Sequence, residues 1–311
     1  MKAITQLSIL AMIAFVNQSC QKEIDLKLDE YQPKLAISSL FEQDSNFYFS
    51  IAESQSVLDN DTFPPLENVS ILLTNSLGES ETISALVDHT FYYQNKRVYK
   101  SNMRAREGLT YDISVSHPNH KTATATAGIP DGVQITSLDT QTVLEFGYPA
   151  LRINMIFQDP VVTNYYELKL FAYAPEIVYD KQTWEAIDTI MSFQEMYYSF
   201  PSDGLLDNGG NSIFSDELFN GKEYTLSFNT DKSYIDYLLE GKEAFPEAEI
   251  FLLPELRSIS KEYYDYQTSM VKYWNADGNP FAQPVQVYTN IENGFGIFAG
   301  FGKSNDTIWL D

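Results

Sequence analysis

Cysteine, positive charge and long apolar runs are all scarce in this sequence, and each shortage excludes a class of protein. Cys20 is the only cysteine in 311 residues, so no disulfide can form within the chain and its stability must come from apolar cores. Lysine and arginine number 20 against 43 aspartates and glutamates, and the formal net charge of −23 argues against nucleic acid or an anionic membrane surface as a partner. The apolar run at residues 7–16 is too short to span a bilayer, which needs about 20 apolar residues.

That short run has the pattern of a secretory signal peptide, which we predict for residues 1–19. Lys2 supplies the positive charge before the apolar run, and Ser19 is the small residue expected before the cleavage site. The sequence therefore predicts export of the chain that begins at Cys20.

Cys20 is the predicted site of lipid attachment. A cysteine directly after the cut can receive a diacylglycerol and a further acyl chain, and several buried chains anchor a protein stably. The alternative, a stray thiol in an ordinary signal region, leaves this lone cysteine unexplained. Residues 20–32 would form a polar tether in which Gln21, Lys22 and Glu23 are a candidate surface-export signal.

Aromatic residues and alternating patterns predict a mainly β protein with two β-sandwich-like domains. The 21 tyrosines and 20 phenylalanines, with frequent turn residues between short runs, are typical of strands. About seven short strands over residues 33–130 fit an immunoglobulin-like or prealbumin-like sandwich. Residues 128–130 have the composition of a linker, so we place the first domain at 33–130 and the second at 131–311.

The second domain is predicted to contain one or two helices among its strands. Residues 233–240 place Tyr234, Tyr237 and Leu238 on one helical face, and Gly241 follows as a C-cap. The longest irregular stretch, residues 202–211, lies earlier in this domain.

Ser260 can cap a longer helix. In that helix an aromatic stripe recurs at intervals of three and four residues, formed by Tyr263, Tyr266, Met270 and Trp274. The spacing predicts that the stripe packs in the core, with a ligand platform as the alternative.

Four segments of the second domain form motifs: SISKEYYDY at residues 258–266, GNPF at 278–281, NIENGFGIFAG at 290–300 and FSDELFNG at 214–221. The first three resemble the carboxy-terminal signature of the Bacteroidetes lipoprotein family called domain of unknown function 4249, and the fourth is similar to its mid-chain motif. The resemblance covers the chain from Pro33 onward. We interpret the glycines near the last motif as structural, because they let strands bend or approach closely; they are Gly294, Gly296, Gly300 and Gly302.

The resemblance implies an outer-membrane lipoprotein, from a family without an established activity that is often encoded beside TonB-dependent receptors. It therefore implies an accessory or ligand-binding role in nutrient capture at the cell exterior, with such a receptor as partner, and it carries over no catalytic residue. Two other functions stay open. One is a surface hydrolase of glycan or peptide that uses paired carboxylates, and the other is a structural or adhesive module.

The chain contains no motif for catalysis or nucleotide binding, and we predict no catalytic residue, metal or cofactor. His117 and His120 could offer two imidazoles to a metal, but they flank Pro118 in what we predict to be a surface turn. Oxygen donors around residues 202–216 could hold calcium, but their spacing matches no known calcium loop and favours a solvated loop.

The irregular stretch and the aromatic residues before it form the candidate partner-binding loop, because long loops often carry binding functions. The alternative is that the aromatic residues pack as an ordinary strand. The candidate residues are Tyr197, Tyr198, Phe200, Asp203, Asp207, Asn208 and Asn211.

Overall fold

Strands in this chain alternate buried and exposed side chains, which is the pattern that a sheet with one covered face requires. In the strand Thr110–His117, Tyr111, Ile113 and Val115 are buried while the residues between them are half-buried or exposed. The computed structural model describes residues 31–56, 64–91, 94–180, 183–201, 212–243, 245–279 and 282–310. The predicted mainly β fold with two helices is confirmed.

The strands are β1 Leu35–Glu42, β2 Asn46–Glu53, β3 Ser70–Asn75, β4 Ser80–Ile83, β5 Leu86–Phe91, β6 Gln94–Arg104, β7 Thr110–His117, β8 His120–Gly128, β9 Ile135–Glu145, β10 Tyr148–Gln158, β11 Tyr165–Tyr179, β12 Ala186–Glu195, β13 Ile213–Ser215, β14 Glu223–Asp231, β15 Phe251–Ile259, β16 Gly294–Asn305 and β17 Ile308–Trp309. The helices are α1 Lys232–Glu240 and α2 Lys261–Ala276, and a short 3-10 helix spans Gly241–Glu243. Within the described ranges, neither helix has the length and apolar character needed to cross a membrane.

The strands form one large sheet and two small ones. The large sheet has the order β12-β11-β15-β16-β1-β2-β6-β5, with β13 paired to β11 and β17 paired to β15. The small sheets have the orders β4-β3-β7-β8 and β14-β10-β9.

Each small sheet encloses an apolar core against the large sheet, so two sandwich-like halves result. The first core lies between β1, β2 and β6 and the four-stranded sheet, and Phe41, Phe47 and Tyr111 pack ring against ring in it. The second core lies between β11 and β15 and the three-stranded sheet, where Phe157 and Tyr166 make an edge-to-face contact.

The two halves share the large sheet, because β16 near the end of the chain pairs in parallel with β1 at its beginning. Gly300 and Gly302 of β16 lie against the segment around Pro130: an added Cβ would stand 2.5 Å from the Gly128 carbonyl oxygen in one case and 2.5 Å from the Pro130 carbonyl oxygen in the other. The predicted role of these two glycines in close approach is thus seen directly. Pro33–Asp311 forms one compact unit, and the division into domains at Pro130 stays a prediction about independent folding.

Helix α1 forms at the predicted segment and buries its aliphatic side chains. Its N-cap is Asp231, whose side chain accepts a hydrogen bond from the Ser233 backbone N–H, and Gly241 is its C-cap. Ile235 and Leu238 are the buried residues, whereas Tyr234 and Tyr237 are exposed. Of the three residues predicted to share a helical face, Leu238 alone is buried, because the second core receives Ile235 and Leu238 from this helix.

Helix α2 begins as predicted, with Ser260 as N-cap accepting a hydrogen bond from the backbone N–H of Tyr263. Tyr263 is buried against Ile259 and Ile297, and Tyr266 packs against the same cluster. The predicted core stripe is confirmed for Tyr263 and wrong for Trp274, which is exposed, while Tyr266 and Met270 are half-buried.

Candidate binding site on the open face of the large sheet

Both small sheets pack on the same face of the large sheet. In β16, Phe298 belongs to the first core, whereas the adjacent Ile297 packs with Tyr263 of α2 on the opposite face. In β15, Leu256 belongs to the second core and pairs with Ser304, which lies on the same side of β16 as Phe298. Helix α2 covers only part of the opposite face, and we call the remainder the open face.

A row of aromatic side chains crosses the open face from β12 to β17. Directly paired residues of neighbouring strands share a face, and Phe193, Tyr173, Phe251 and Trp309 are paired in that order. Their successive ring centroids lie 5.0, 5.3 and 5.1 Å apart. Phe193 and Trp309, at the two ends, are exposed. We call these four residues the aromatic row.

Charged side chains follow the aromatic row on the same face. The register of β11 and β15 places Phe171 beside Leu253, then Lys169 beside Glu255, then Glu167 beside Arg257. The last four residues of that series form what we call the charged cluster. The open face therefore changes from aromatic to ionic over a few residues of each strand.

Arg257 is held by two carboxylates and one ring. Its Nε donates to Glu255 Oε1 at 2.6 Å and its Nη1 donates to Glu167 Oε2 at 3.1 Å. Its Cζ lies 4.5 Å from the centroid of the Phe301 ring, a cation–π contact. Burial alone lowers the pKa of Arg257, but the charges of Glu167 and Glu255 outweigh it and raise the pKa above the ordinary value. Arg257 is a fixed cation with a defined orientation.

Glu167 is further bound from the side of α2. Tyr263 donates its hydroxyl to Glu167 Oε1 at 3.4 Å, and Lys169 Nζ lies 3.9 Å from the same oxygen. Burial and then the charge of Glu167 raise the pKa of Tyr263, so the phenol stays a neutral donor. The buried carboxylate is thus surrounded by donors, as a charge removed from water must be.

A cavity of about 570 Å³ lies over the charged cluster and the apolar residues beside it. This volume is within the range of small-molecule sites. One wall is ionic and includes Glu255, Arg257, Lys303 and Glu42, while the other is apolar. The apolar lining consists of Leu40, Tyr48, Phe171, Phe193, Leu253 and Phe301.

The ionic wall offers both donors and acceptors to a ligand. Within the described residues, Nη2 of Arg257 has no hydrogen-bond partner. Lys303 Nζ pairs with Glu42 Oε2 at 2.6 Å, and because both side chains are partly exposed this pair can rearrange at low energetic cost. The cavity suits an amphipathic ligand with one apolar part and one polar part that both donates and accepts hydrogen bonds.

The predicted partner-binding residues lie elsewhere. Tyr197 is 97% exposed, whereas Tyr198 and Phe200 pack against the second core, and the Tyr198 hydroxyl donates to the Leu168 carbonyl oxygen at 2.6 Å. None of the three lines the cavity over the charged cluster. The predictions on Cys20, Gln21, Lys22, Glu23, Asp203, Asp207, Asn208 and Asn211 fall outside the described residues.

His117 ends β7 and His120 begins β8, so the two residues flank the turn between these strands and pair across it. His120 Nε2 is 3.6 Å from Glu53 Oε1, and the His117 Nδ1 accepts a hydrogen bond from the Asn119 backbone N–H. In the part of the chain that the structure covers, no group of three or more His, Cys, Asp or Glu side chains is arranged to hold a metal ion.

Sequence patterns missed one of the strands that build this site. The segment FLLPELRSI, which forms β15, places Leu253, Glu255 and Arg257 on one face by simple alternation, but Pro254 interrupts the strand signal. Pro254 is tolerated because it falls between the residues that pair with β17 and those that pair with β16. Alternation over 251–259 was the signal that could have found Arg257.

Comparisons with known proteins agree with the motifs. The family model described as Domain of unknown function (DUF4249) matches residues 21–307. Among curated proteins, none matches this chain.

Proposed function

Because the chain belongs to the family described as Domain of unknown function (DUF4249), we propose that it has the role which the motifs suggest, a lipid-anchored binding protein at the cell exterior. In this proposal Cys20 holds the protein in the outer membrane, and the open face binds a ligand for delivery to a TonB-dependent transporter. The role is that of an accessory protein in nutrient capture.

The observation that carries the proposal is the cavity of about 570 Å³ in which a fixed Arg257 stands beside the half-buried Phe301 and the exposed Phe193. Phe193 and Trp309 are exposed at the two ends of a continuous aromatic row, and apolar patches beside oriented polar groups are typical of binding sites. The held orientation of Arg257 means that a ligand need not order it on binding.

The hydrolase alternative is supported less well by these contacts. Glu167 and Glu255 are two buried carboxylates on one face, but both bind the guanidinium of Arg257. A general acid or nucleophile would first have to leave that ion pair. A purely structural module, the third function considered, offers no reason for an aromatic row on an otherwise open face.

Native mass spectrometry of the full chain, purified from the outer membrane of its own cells, tests the proposal and requires no assumption about which ligand is bound. We expect an adduct of small-molecule mass on the unsubstituted protein, and its loss in Phe193→Ser, which opens the apolar wall. Leu144→Ser is the matched control, because Leu144 is also an exposed apolar strand residue but lies outside the cavity. Absence of an adduct from the unsubstituted protein, or equal loss in both variants, would contradict ligand capture on the open face.

A further inference from the structure

The hairpin of β11 and β12 projects beyond the rest of the large sheet. β15 pairs with β11 only between residues 165 and 173, so in the described residues β11 continues past Tyr173 paired with β12 alone. We call the described residues of this extension, 174–180 and 183–192, the arm. At its base Ala174 is buried in the second core and Pro175 lies against Gly241, whereas most residues farther out are exposed. A ribbon of two strands is marginally stable alone.

The arm nevertheless exposes large apolar side chains on both faces. Ile177 pairs with Thr189 on the face of the aromatic row, while Ile190 pairs with Glu176 on the other, and both isoleucines are exposed. Ile187 is 64% exposed, and Tyr179 at the end of β11 is exposed as well. Ile177 lies on the face of Phe193 and extends the apolar surface of the open face outward along the ribbon. Contiguous apolar surface of this kind marks interaction sites.

Trp184 stands at the turn of the arm in a conformation that tryptophan rarely adopts. It is 77% exposed, and its backbone φ is +58°, in the left-handed region that favours glycine. Asp180 binds the residues before β12 by three hydrogen bonds. Its Oδ1 accepts from the backbone N–H and the hydroxyl of Thr183, and the Asp180 carbonyl oxygen accepts from the Trp184 backbone N–H. The exposed indole is therefore held at the outer end of the arm, where it offers a large apolar surface with one hydrogen-bond donor.

The charge of the arm selects among possible occupants. Between residues 174 and 192 the sequence has four acidic side chains and one basic side chain. The acidic ones are Glu176, Asp180, Glu185 and Asp188, and the basic one is Lys181. Anionic lipid head groups would repel such a segment, so the arm is not suited to insertion into a bilayer surface. A second copy of this chain, with the same acidic arm and a formal net charge of −23, would be repelled in the same way.

We propose that the arm is a docking element for a different protein, one that presents an apolar groove rimmed by lysine or arginine. Trp184 and Ile187 would fill the groove as apolar anchors, which is the usual role of tryptophan at protein interfaces. The acidic side chains would pair with the basic rim and set the orientation. The inference rests on the proposed partnership with an outer-membrane protein but not on ligand capture by the open face.

A photo-cross-linking amino acid at position 187 of the full lipid-anchored chain, in its native membrane, tests the docking element. The matched control is the same probe at Leu77, which is 65% exposed in the turn between β3 and β4. We expect one protein adduct from position 187 and none from position 77. The peptide of the partner protein that is cross-linked to position 187 should contain apolar residues flanked by lysine or arginine.

The charge argument is tested by reversing Glu185 and Asp188 to lysine in the chain that carries the probe. We expect the adduct yield to fall on the order of ten-fold, with an unchanged circular dichroism spectrum because both side chains are exposed. Raising the salt concentration should lower the yield from the unreversed chain as well. Adducts with phospholipid, with a second copy, or at equal yield from position 77 would overturn the proposal, as would no adduct from position 187 or a yield indifferent to both charge reversal and salt.

These results are distinguishable from the outcome for the proposed function. Loss of the small-molecule adduct in native mass spectrometry concerns Phe193 and the cavity, whereas the cross-links report on the arm alone.

Discussion

Replacement of Arg257 by methionine should destabilise the protein strongly, because it leaves two buried carboxylates without their cation. The side chains of Arg257, Glu167 and Glu255 are 15%, 5% and 7% exposed, so none of the three is well solvated. Removing one partner of a buried ion pair costs about 3–5 kcal/mol, and here both carboxylates lose the same partner. We therefore expect a loss of about 5 kcal/mol in the free energy of unfolding, at the upper end of that range.

Two companion variants identify the physical cause. Lys303→Met breaks an ion pair of similar geometry whose side chains, Lys303 and Glu42, are 40% and 31% exposed, so it should cost at most about 1 kcal/mol. Adding Glu167→Gln and Glu255→Gln to Arg257→Met should recover most of the loss, since replacing all charges of a buried cluster is often close to neutral.

Urea unfolding of the four proteins measures these differences from the transition midpoints at constant slope. The reasoning is refuted if Arg257→Met costs no more than Lys303→Met, or if the glutamine substitutions deepen the loss instead of reversing it. Either outcome would mean that the charged cluster is solvated and is not a preorganised part of the open face.

Three further predictions concern other parts of the chain. Cys20→Ala should release the protein from the membrane fraction after a carbonate wash, and continued retention would contradict the lipid anchor. Gly296→Ala should lower the free energy of unfolding by more than about 3 kcal/mol, because Gly296 has φ +102° and an added Cβ would stand 1.9 Å from the Ile37 carbonyl oxygen. The control Gly78→Ala should lower it by about 1 kcal/mol, because Gly78 has φ +83° but open space around the added Cβ. Equal urea midpoints for the two variants would count against the steric explanation. Burial raises the pKa of Asp159 in the folded state above the ordinary aspartate value. The protonated side chain therefore contributes stability at pH values below the ordinary aspartate pKa, and this contribution is lost as pH rises through the pKa of the folded state. Asp159→Asn should lack that decline in a series of urea midpoints against pH, and an identical decline in both proteins would exclude Asp159 as its source.

Local patterns in the sequence predicted the elements whose formation depends on neighbouring residues. The hairpin of β3 and β4 follows from the alternation before residue 76 and the turn at Gly78, whose φ is +83°. The start of α2 follows from Ser260, because an N-cap acts within three residues of itself. The buried face of α1 did not follow, since the choice between Tyr234 and Ile235 depends on the core that receives the helix.

The candidate site could not be derived from sequence because no local pattern connects its parts. Glu167 and Arg257 are 90 positions apart, and they meet only through the pairing of β11 with β15. Acidic residues are so common in this chain that a glutamate alone carries no signal. Pro254 also weakened the pattern of the strand that supplies Arg257.

Composition by itself determined that this chain folds as sheets around apolar cores without a disulfide, since it has one cysteine and many aromatic residues. Its acidic excess likewise predicts repulsion of nucleic acid and of anionic membrane surfaces. Only the tertiary structure decided that β16 returns to pair with β1, so that both cores lie on one face of a shared sheet and the other face stays open. The physical reason is that strand pairing joins residues far apart in sequence. The alternation within a strand indicates that the strand has two faces, but it does not indicate which face another layer will cover.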